Sequence, residues 1–201
     1  MKCVYPAEKT GASMRSDALS NRLRILEAAA EVLAGPGDTS LKSIARRAGV
    51  GQGTLYRHFP SRECLVLQVY GEEVEELVTA VPGLLTTLSP QHGLCAWLRR
   101  LLYVGRCAPE FAEAMRGAGG VLTEPCREAY RPLLDALSAL VDANAAAGTI
   151  AAGTTAEDVL TLLGPLWRIS ADGGDQDRDR ETRLFEVLMR GLCPGAGPAD
   201  Q

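Results

Sequence analysis

Apolar residues recur at helical spacing through most of this chain, and glycine and proline fall between the runs. From Ser20 to Ala34, Leu26, Ala29, Ala30 and Leu33 return every three or four positions, which predicts a first helix ended by Gly35-Pro36-Gly37. Leu41, Ile44, Ala45 and Ala48 then form an i, i+3, i+4, i+7 stripe. Ser40 is its expected N-cap and Gly49 its stop. Val50 plugs the turn, and residues 51–59 make a short third helix anchored by Leu55 and Phe59, one turn apart. Pro60-Ser61 breaks the pattern, with Ser61 capping a helix that runs to about Val81. Pro82-Gly83 and Ser89-Pro90 punctuate the chain next, and helical patterns resume over 91–106, 109–117 and 124–147. Gly148–Gly153 reads as a loop. Two closing helices follow over 155–171 and 176–191, the first kinked by Gly164-Pro165. No segment shows the alternation of a strand. The fold class predicted is all-α with about nine helices, an N-terminal three-helix unit followed by a C-terminal helical domain.

Residues 1–19 are polar and aperiodic and are expected to form a mobile arm; Met14 would serve as an alternative start. The domain boundaries follow as 20–65 for the three-helix unit, with its core motif at 40–59, then 66–195 for the helical domain and 196–201 for a tail.

Composition narrows the setting. Hydrophobic residues are 46% and charged residues 23% of 201, enough for a packed core. No run of 18 apolar residues occurs, and the first ten residues lack the apolar stretch of a secretory leader, so a cytoplasmic protein is expected. The six cysteines, Cys3, Cys64, Cys95, Cys107, Cys126 and Cys193, show no CxxC spacing. With two histidines, His58 and His92, no metal or catalytic site is expected, nor any cofactor, nor an enzyme. Glu72, Glu73, Glu75 and Glu76 go round a helix rather than converge and read as a solvated face. The net charge of -4 is unevenly spread: residues 1–63 hold ten Lys/Arg against six Asp/Glu, a net of +4, and the remainder nets -8. A basic front and an acidic rear suit a molecule that presents one end to phosphate.

The stretch Ser40–Phe59 carries the chemistry. Two short helices joined by a tight glycine turn have the form of a helix-turn-helix, whose second helix enters the DNA major groove. Small residues at Ala45 and Ala48 allow the helices to approach. Lys42, Ser43, Arg46 and Arg47 can face the DNA backbone. Gln52, Thr54, Arg57 and His58 point away from the Leu55/Phe59 anchor or flank it. Gln pairs with adenine and Arg with guanine through two bonds each, and Thr can meet a thymine methyl. Gly51 and Gly53 let the helix N-terminus approach without a Cβ in the way.

This segment resembles the tetracycline-repressor (TetR) family of transcriptional regulators. The resemblance covers about residues 20–70. It rests on Ile25-Leu-Glu-Ala-Ala-Ala-Glu-Val-Leu33, on Thr39-Ser-Leu-x-x-Ile-Ala-x-x-Ala-Gly-Val50, and on Gly53-Thr-Leu-Tyr-x-His-Phe-Pro-Ser-Arg-Glu63. It implies a homodimer that binds a palindromic operator, a repressor released by a small-molecule effector, with the C-terminal domain binding the effector and making the dimer. By resemblance, Thr39, Ser40, Tyr56, His58 and Arg62 match phosphate-contacting positions and Lys42 a base or phosphate contact. Gln52, Gly53 and Thr54 match the base-facing front, and Arg57 stands where the family varies. Gly51 departs from the family, which commonly has a capping Ser there.

Beyond residue 80 the motifs thin. A pocket would lie among Trp97, Leu101, Tyr103, Phe111, Met115, Tyr130, Leu134 and Trp167, the aromatic and apolar residues at helical spacing; plain core packing is the other reading. One of Arg99, Arg100, Arg106, Arg116, Arg127 or Arg131 turned inward would favour an anionic ligand. Val159, Leu162, Leu163, Leu166 and Ile169, with Leu184, Val187, Leu188 and Gly191, make broad apolar faces on the last two helices. Pairing with a second copy as a four-helix bundle would cover them. Two further classes stay open: a helical binding protein or enzyme with a vestigial helix-turn-helix, and a DNA-organising protein without an effector. DNA titration with a turnover assay separates the first, and an apolar cavity argues against the second.

Overall fold

Helix formation is continuous wherever burial or capping sustains it. A computed structural model describes residues 11–118, 124–169 and 174–194, of which 11–16, 117–118, 124–126 and 175 are described in backbone alone. These residues form helices and connecting turns without a strand. The chain divides into two compact units, Met1–Pro60 and Ser61–Gln201. The division falls at the Pro60-Ser61 break, five residues before the boundary read from the sequence.

The first unit contains α1 (Gly11–Ala34), α2 (Leu41–Ala48) and α3 (Gln52–His58). Its core is Ile25, Ala28 and Ala29 of α1, Ile44, Ala45 and Ala48 of α2, and Leu55 and Phe59. Arg22 lies over the Phe59 ring at 4.7 Å. The residues 11–19 assigned to an arm are the first turns of α1, and residues 1–10 of that arm lie outside the described residues. Among the described side chains of these turns, Asp17, Ala18 and Leu19 are exposed, Leu19 at 60%, so no buried apolar face marks them.

The second unit contains α4 (Arg62–Val69), α5 (Gly71–Thr87), α6 (Pro90–Cys107), α7 (Pro109–Ala118), α8 (Glu124–Ala146), α9 (Ala156–Leu163), α10 (Leu166–Ile169) and α11 (Asp175–Leu192). The helix expected over 61–81 is therefore two. It stops at Tyr70, where φ -91 and ψ 34 leave the helical basin. The second piece then runs through Pro82-Gly83 to Thr87. Proline removes one backbone bond, but Leu77 and Val81 on the same helix are buried, and packing outweighs the loss. The expected kink at Gly164-Pro165 is a break between α9 and α10. One core joins these helices, with Leu77, Leu94, Trp97, Leu98, Leu101, Phe111, Met115, Tyr130, Leu137, Leu140, Val159 and Leu163 at 0–1% exposure. Several buried polar groups are bonded within it: Trp97 Nε1 donates to Leu77 O at 2.8 Å, and Tyr130 Oη to Ala114 O at 2.5 Å. Asn144 Nδ2 donates to Pro90 O and Leu140 O, both at 2.8 Å.

Candidate nucleic-acid interface

The helix-turn-helix is set by its two caps. Ser40 Oγ accepts from Ser43 N at 3.2 Å and donates to Asp38 Oδ2 at 2.9 Å, while Asp38 Oδ1 accepts from Ser40 N at 2.9 Å. These bonds from the Ser40 backbone and then its hydroxyl hold the Asp38 carboxyl below its ordinary value. At the other end Gly49 adopts φ 64, ψ 35, and its N–H and that of Val50 close on Arg46 O and Ala45 O. Arg24 of α1 completes the turn. Its Nη2 donates to Ala48 O at 2.5 Å and reaches Gly49 O at 3.4 Å. A Cβ on residue 49 would stand 2.8 Å from that nitrogen, so glycine serves both the left-handed turn and the close approach of the guanidinium. Arg24 was not singled out from the sequence: no helical spacing links it to carbonyls 24 and 25 residues away.

Helix α3 buries Leu55 and presents the rest. Gln52, Gly53, Tyr56 and Arg57 are exposed, with Tyr56 at 50%; Thr54 and His58 are half-buried. Gln52 and Arg57 make no contact with any partner among the described residues. Gly51 caps the helix without a side-chain bond, with Thr54 N and Leu55 N donating to Gly51 O at 2.9 and 3.1 Å. On α2, Lys42 is exposed and Ser40 stands at its start; Thr39 precedes them, half-buried. Arg46 bonds Ser43 at 3.3 Å, and Arg47 pairs with Glu31 of α1 at 2.6 Å. One unit thus brings together nine of the ten expected DNA-facing residues. Arg62 is the exception. It opens α4 in the second unit, and its guanidinium pairs with Glu110 of α7.

The residues expected around a pocket split as well. Trp97, Leu101, Phe111, Met115, Tyr130, Leu134 and Trp167 join the core of the second unit. Tyr103 does not: it is 57% exposed and has Arg106 over its ring at 5.2 Å. Tyr103 stands two positions after the buried Leu101 on α6, which turns it to the other side of the helix. Its neighbourhood is a polar concavity of about 220 Å³ shared with Arg99, Arg106, Glu181 and Phe185. Trp167 also lines a cleft of about 200 Å³ with Gly105, Arg106 and Arg116.

Among the residues expected at a dimer face, Val159 and Leu163 are fully buried in their own unit, where α9 packs against α7 and α8. Leu162, Leu184 and Val187 are exposed at 51%, 37% and 63%. With Leu166, Ile169, Leu188 and Leu192 they line an apolar groove of about 510 Å³ between α9, α10 and α11. Cys64 and Cys193 are buried, and burial raises the Cys193 thiol above its ordinary value. Cys3 and Cys126 lie outside the residues whose side chains are described. Among the described residues no helix is long and apolar enough to cross a membrane.

Residues 25–69 match the family model of bacterial regulatory proteins of the tetR family, and residues 89–194 match that of the SbtR-like transcriptional regulator C-terminal domain. An HTH-type transcriptional regulator of Staphylococcus aureus is 38% identical over 68 residues, a match spanning 33% of this chain and 37% of that relative's length. A TetR transcriptional regulator from Streptomyces coelicolor shares 39% identity and superimposes with a TM-score of 0.53 over 87% of this chain and 99% of its own. Thermus thermophilus FadR, a TetR family repressor in complex with lauroyl-CoA, shares the fold at 21% identity, with a TM-score of 0.60 over 90% and 99% of the two chains.

Proposed function

The chain belongs to the TetR family of bacterial transcriptional regulators and carries a helix-turn-helix DNA-binding domain; from that premise we propose that it acts as a homodimeric repressor released from a palindromic operator by a small molecule. The observation that carries this reading is the α3 surface. Gln52 and Arg57 stand exposed and without partners, on a helix whose far side is locked into the core by Leu55 and Phe59. Gln52 and Arg57 supply two-bond base contacts, and Thr54 an apolar contact to a thymine methyl. Thr39, Ser40, Lys42, Tyr56 and His58 hold phosphates and fix the register, and Gly53 leaves room for the backbone.

A second copy covers the apolar groove of Leu162, Leu184, Val187 and Leu188, pairing α9–α11 of each chain. The effector binds in the second unit. The lauroyl-CoA bound by Thermus thermophilus FadR on the same fold supports a ligand-responsive role. Ser61 follows Pro60 directly, so a ligand-driven shift of α4 is passed to the recognition helix through the chain itself. A coupling of ~1–3 kcal/mol between the two sites gives 5- to 150-fold release.

Selection of bound sequences from random DNA at low salt tests the reading. Enrichment of an inverted repeat with half-sites about 10–10.5 base pairs apart, or a multiple of that, is the expected result. Arg57→Ala relaxes preference at one base position per half-site and costs about 1–3 kcal/mol. A pool that never enriches, or an Arg57→Ala variant with unchanged preference and affinity, overturns it.

A further inference from the structure

The core of the second unit contains two tryptophans, and it treats them differently. Trp97 Nε1 donates to Leu77 O at 2.8 Å. Trp167 is as deeply buried, at 2% exposure, yet its Nε1 is the single buried side-chain polar atom without a hydrogen-bond partner among the described residues. An indole whose purpose is to pack finds an acceptor, as Trp97 does; a closed, unanswered N–H is a donor held in reserve. Its position depends on Gly105 of α6, where a Cβ would stand 2.3 Å from Nε1.

Gly105 and Trp167 line the cleft of about 200 Å³ between α6, α7 and α10, together with Arg106, Glu110, Glu113 and Arg116. Two guanidinium groups and two carboxylates face it, and they differ in how firmly each is paired. Glu110 is committed to Arg62. Arg106 has Glu181 at 4.0 Å, the limit of ion-pair range. Arg116 has no partner among the described residues. Glu113 is the one carboxylate lining the cleft without a cation of its own among them. Arg116 and Glu113 offset each other, so the loosely held Arg106 and the unanswered indole N–H leave the balance with donors, which favours an anionic acceptor, while Pro109, Ala112 and the indole face supply apolar wall.

We propose that this cleft binds a small carboxylic acid, short-chain or single-ring, whose carboxylate accepts from Trp167 Nε1 and pairs with Arg116. The volume is below the roughly 300–1,000 Å³ of sites for drug-sized ligands, which sets the size class. Nε1 is closed to solvent, so binding includes a local opening around Trp167 that ends with the N–H bonded. The proposal deepens the effector reading above and rests on it. The same cleft wall includes Glu110, the residue that holds Arg62 at the head of α4.

The chain has two tryptophans, so a proton–nitrogen correlation spectrum of the ¹⁵N-labelled full-length protein shows two indole signals, assigned by Trp167→Phe. Butyrate and benzoate are titrated, with benzamide as the neutral match. The expected result is a saturable downfield shift of the Trp167 signal with at least one acid, the Trp97 signal unmoved, and no shift with benzamide. Arg116→Ala weakens the acid by about tenfold or more, the loss of a charge-assisted bond. Neither acid shifting the signal, an equal shift with benzamide, or an Arg116→Ala titration like the wild type overturns the site. Operator affinity is measured separately with the same acids. An acid that moves the indole and leaves DNA binding unchanged supports the site and removes the effector role from it. Release of DNA by other compounds, with a silent indole, overturns the site and leaves the regulator reading standing.

Discussion

Thr155 and Asp158 hold the start of α9 by exchanging bonds. Asp158 N donates to Thr155 Oγ1 at 3.1 Å, and Thr155 N and Oγ1 donate to Asp158 Oδ2 at 2.9 and 2.8 Å. The Thr155 backbone bond, then its hydroxyl, holds the Asp158 carboxyl below its ordinary value of 3.8. A carboxyl depressed in the folded state stabilises the fold above its unfolded value, and the contribution fades as pH falls through the folded one. Asp158→Ala is thus expected to lower the melting temperature at about pH 7, with the gap to wild type closing as pH drops below about 4. Thermal unfolding followed by circular dichroism across that range checks it, and a gap independent of pH would refute the bonded carboxylate. Asp38, bonded to Ser40 in the same way, follows the same sign. Residue-scale features of this kind are legible when they are local: Ser40 and Ser61 were readable as caps because a cap and the N–H that donates to it lie within one turn. Arg24 and Glu110 were not, because their partners lie 24 and 48 residues away and no periodicity encodes such a distance.

Between elements, α4 is tied to α7 by the Arg62–Glu110 pair. Both side chains are mostly covered, at 26% and 20% exposure, so water screens the pair less than a surface one. It fixes the first turn of an eight-residue helix to α7. A double-mutant cycle of Arg62→Ala, Glu110→Ala and both together, followed by urea unfolding, is expected to give a coupling of about 1–2 kcal/mol. A coupling near zero would reduce the pair to a chance contact and leave α4 held by its apolar side alone, Cys64, Leu65, Val66 and Leu67. The helices themselves were legible because period 3.6 survives in any amphipathic segment. Their interruptions were less so. Tyr70 carries no breaker signal, since nothing about a tyrosine forbids a helix, and the lone Gly71 that opens α5 is a weak one inside an apolar pattern. Pro82 carries a strong breaker signal, yet burial of Leu77 and Val81 overrides it.

At the scale of the whole molecule, the last two helices show what periodicity leaves open. An apolar face is visible in sequence, but its partner is not. Val159 and Leu163 turn into their own core, whereas Leu162 and Val187, equally apolar, stay outside. Proposed dimerisation accounts for the second pair, and Val187→Asp is the substitution that separates the readings. Val187 is 63% exposed, so a carboxylate there leaves the protomer folded and its far-ultraviolet spectrum unchanged. In a twofold bundle the same change places two unpaired charges at an apolar contact, which strongly disfavours association. Sedimentation is expected to report a dimer for the wild type and a monomer for Val187→Asp. Operator binding then loses the second half-site. Linking two sites raises avidity by 10²–10⁴, so affinity for the full inverted repeat is expected to fall about 100-fold or more, while affinity for a single half-site stays within about threefold. The two DNA measurements are read together. If full-site affinity survives in a monomeric variant, recognition is carried by one helix-turn-helix and the palindrome is incidental. If Val187→Asp stays dimeric, the groove between α9 and α11 has another occupant, and the spacing of the two recognition helices must be set elsewhere in the chain.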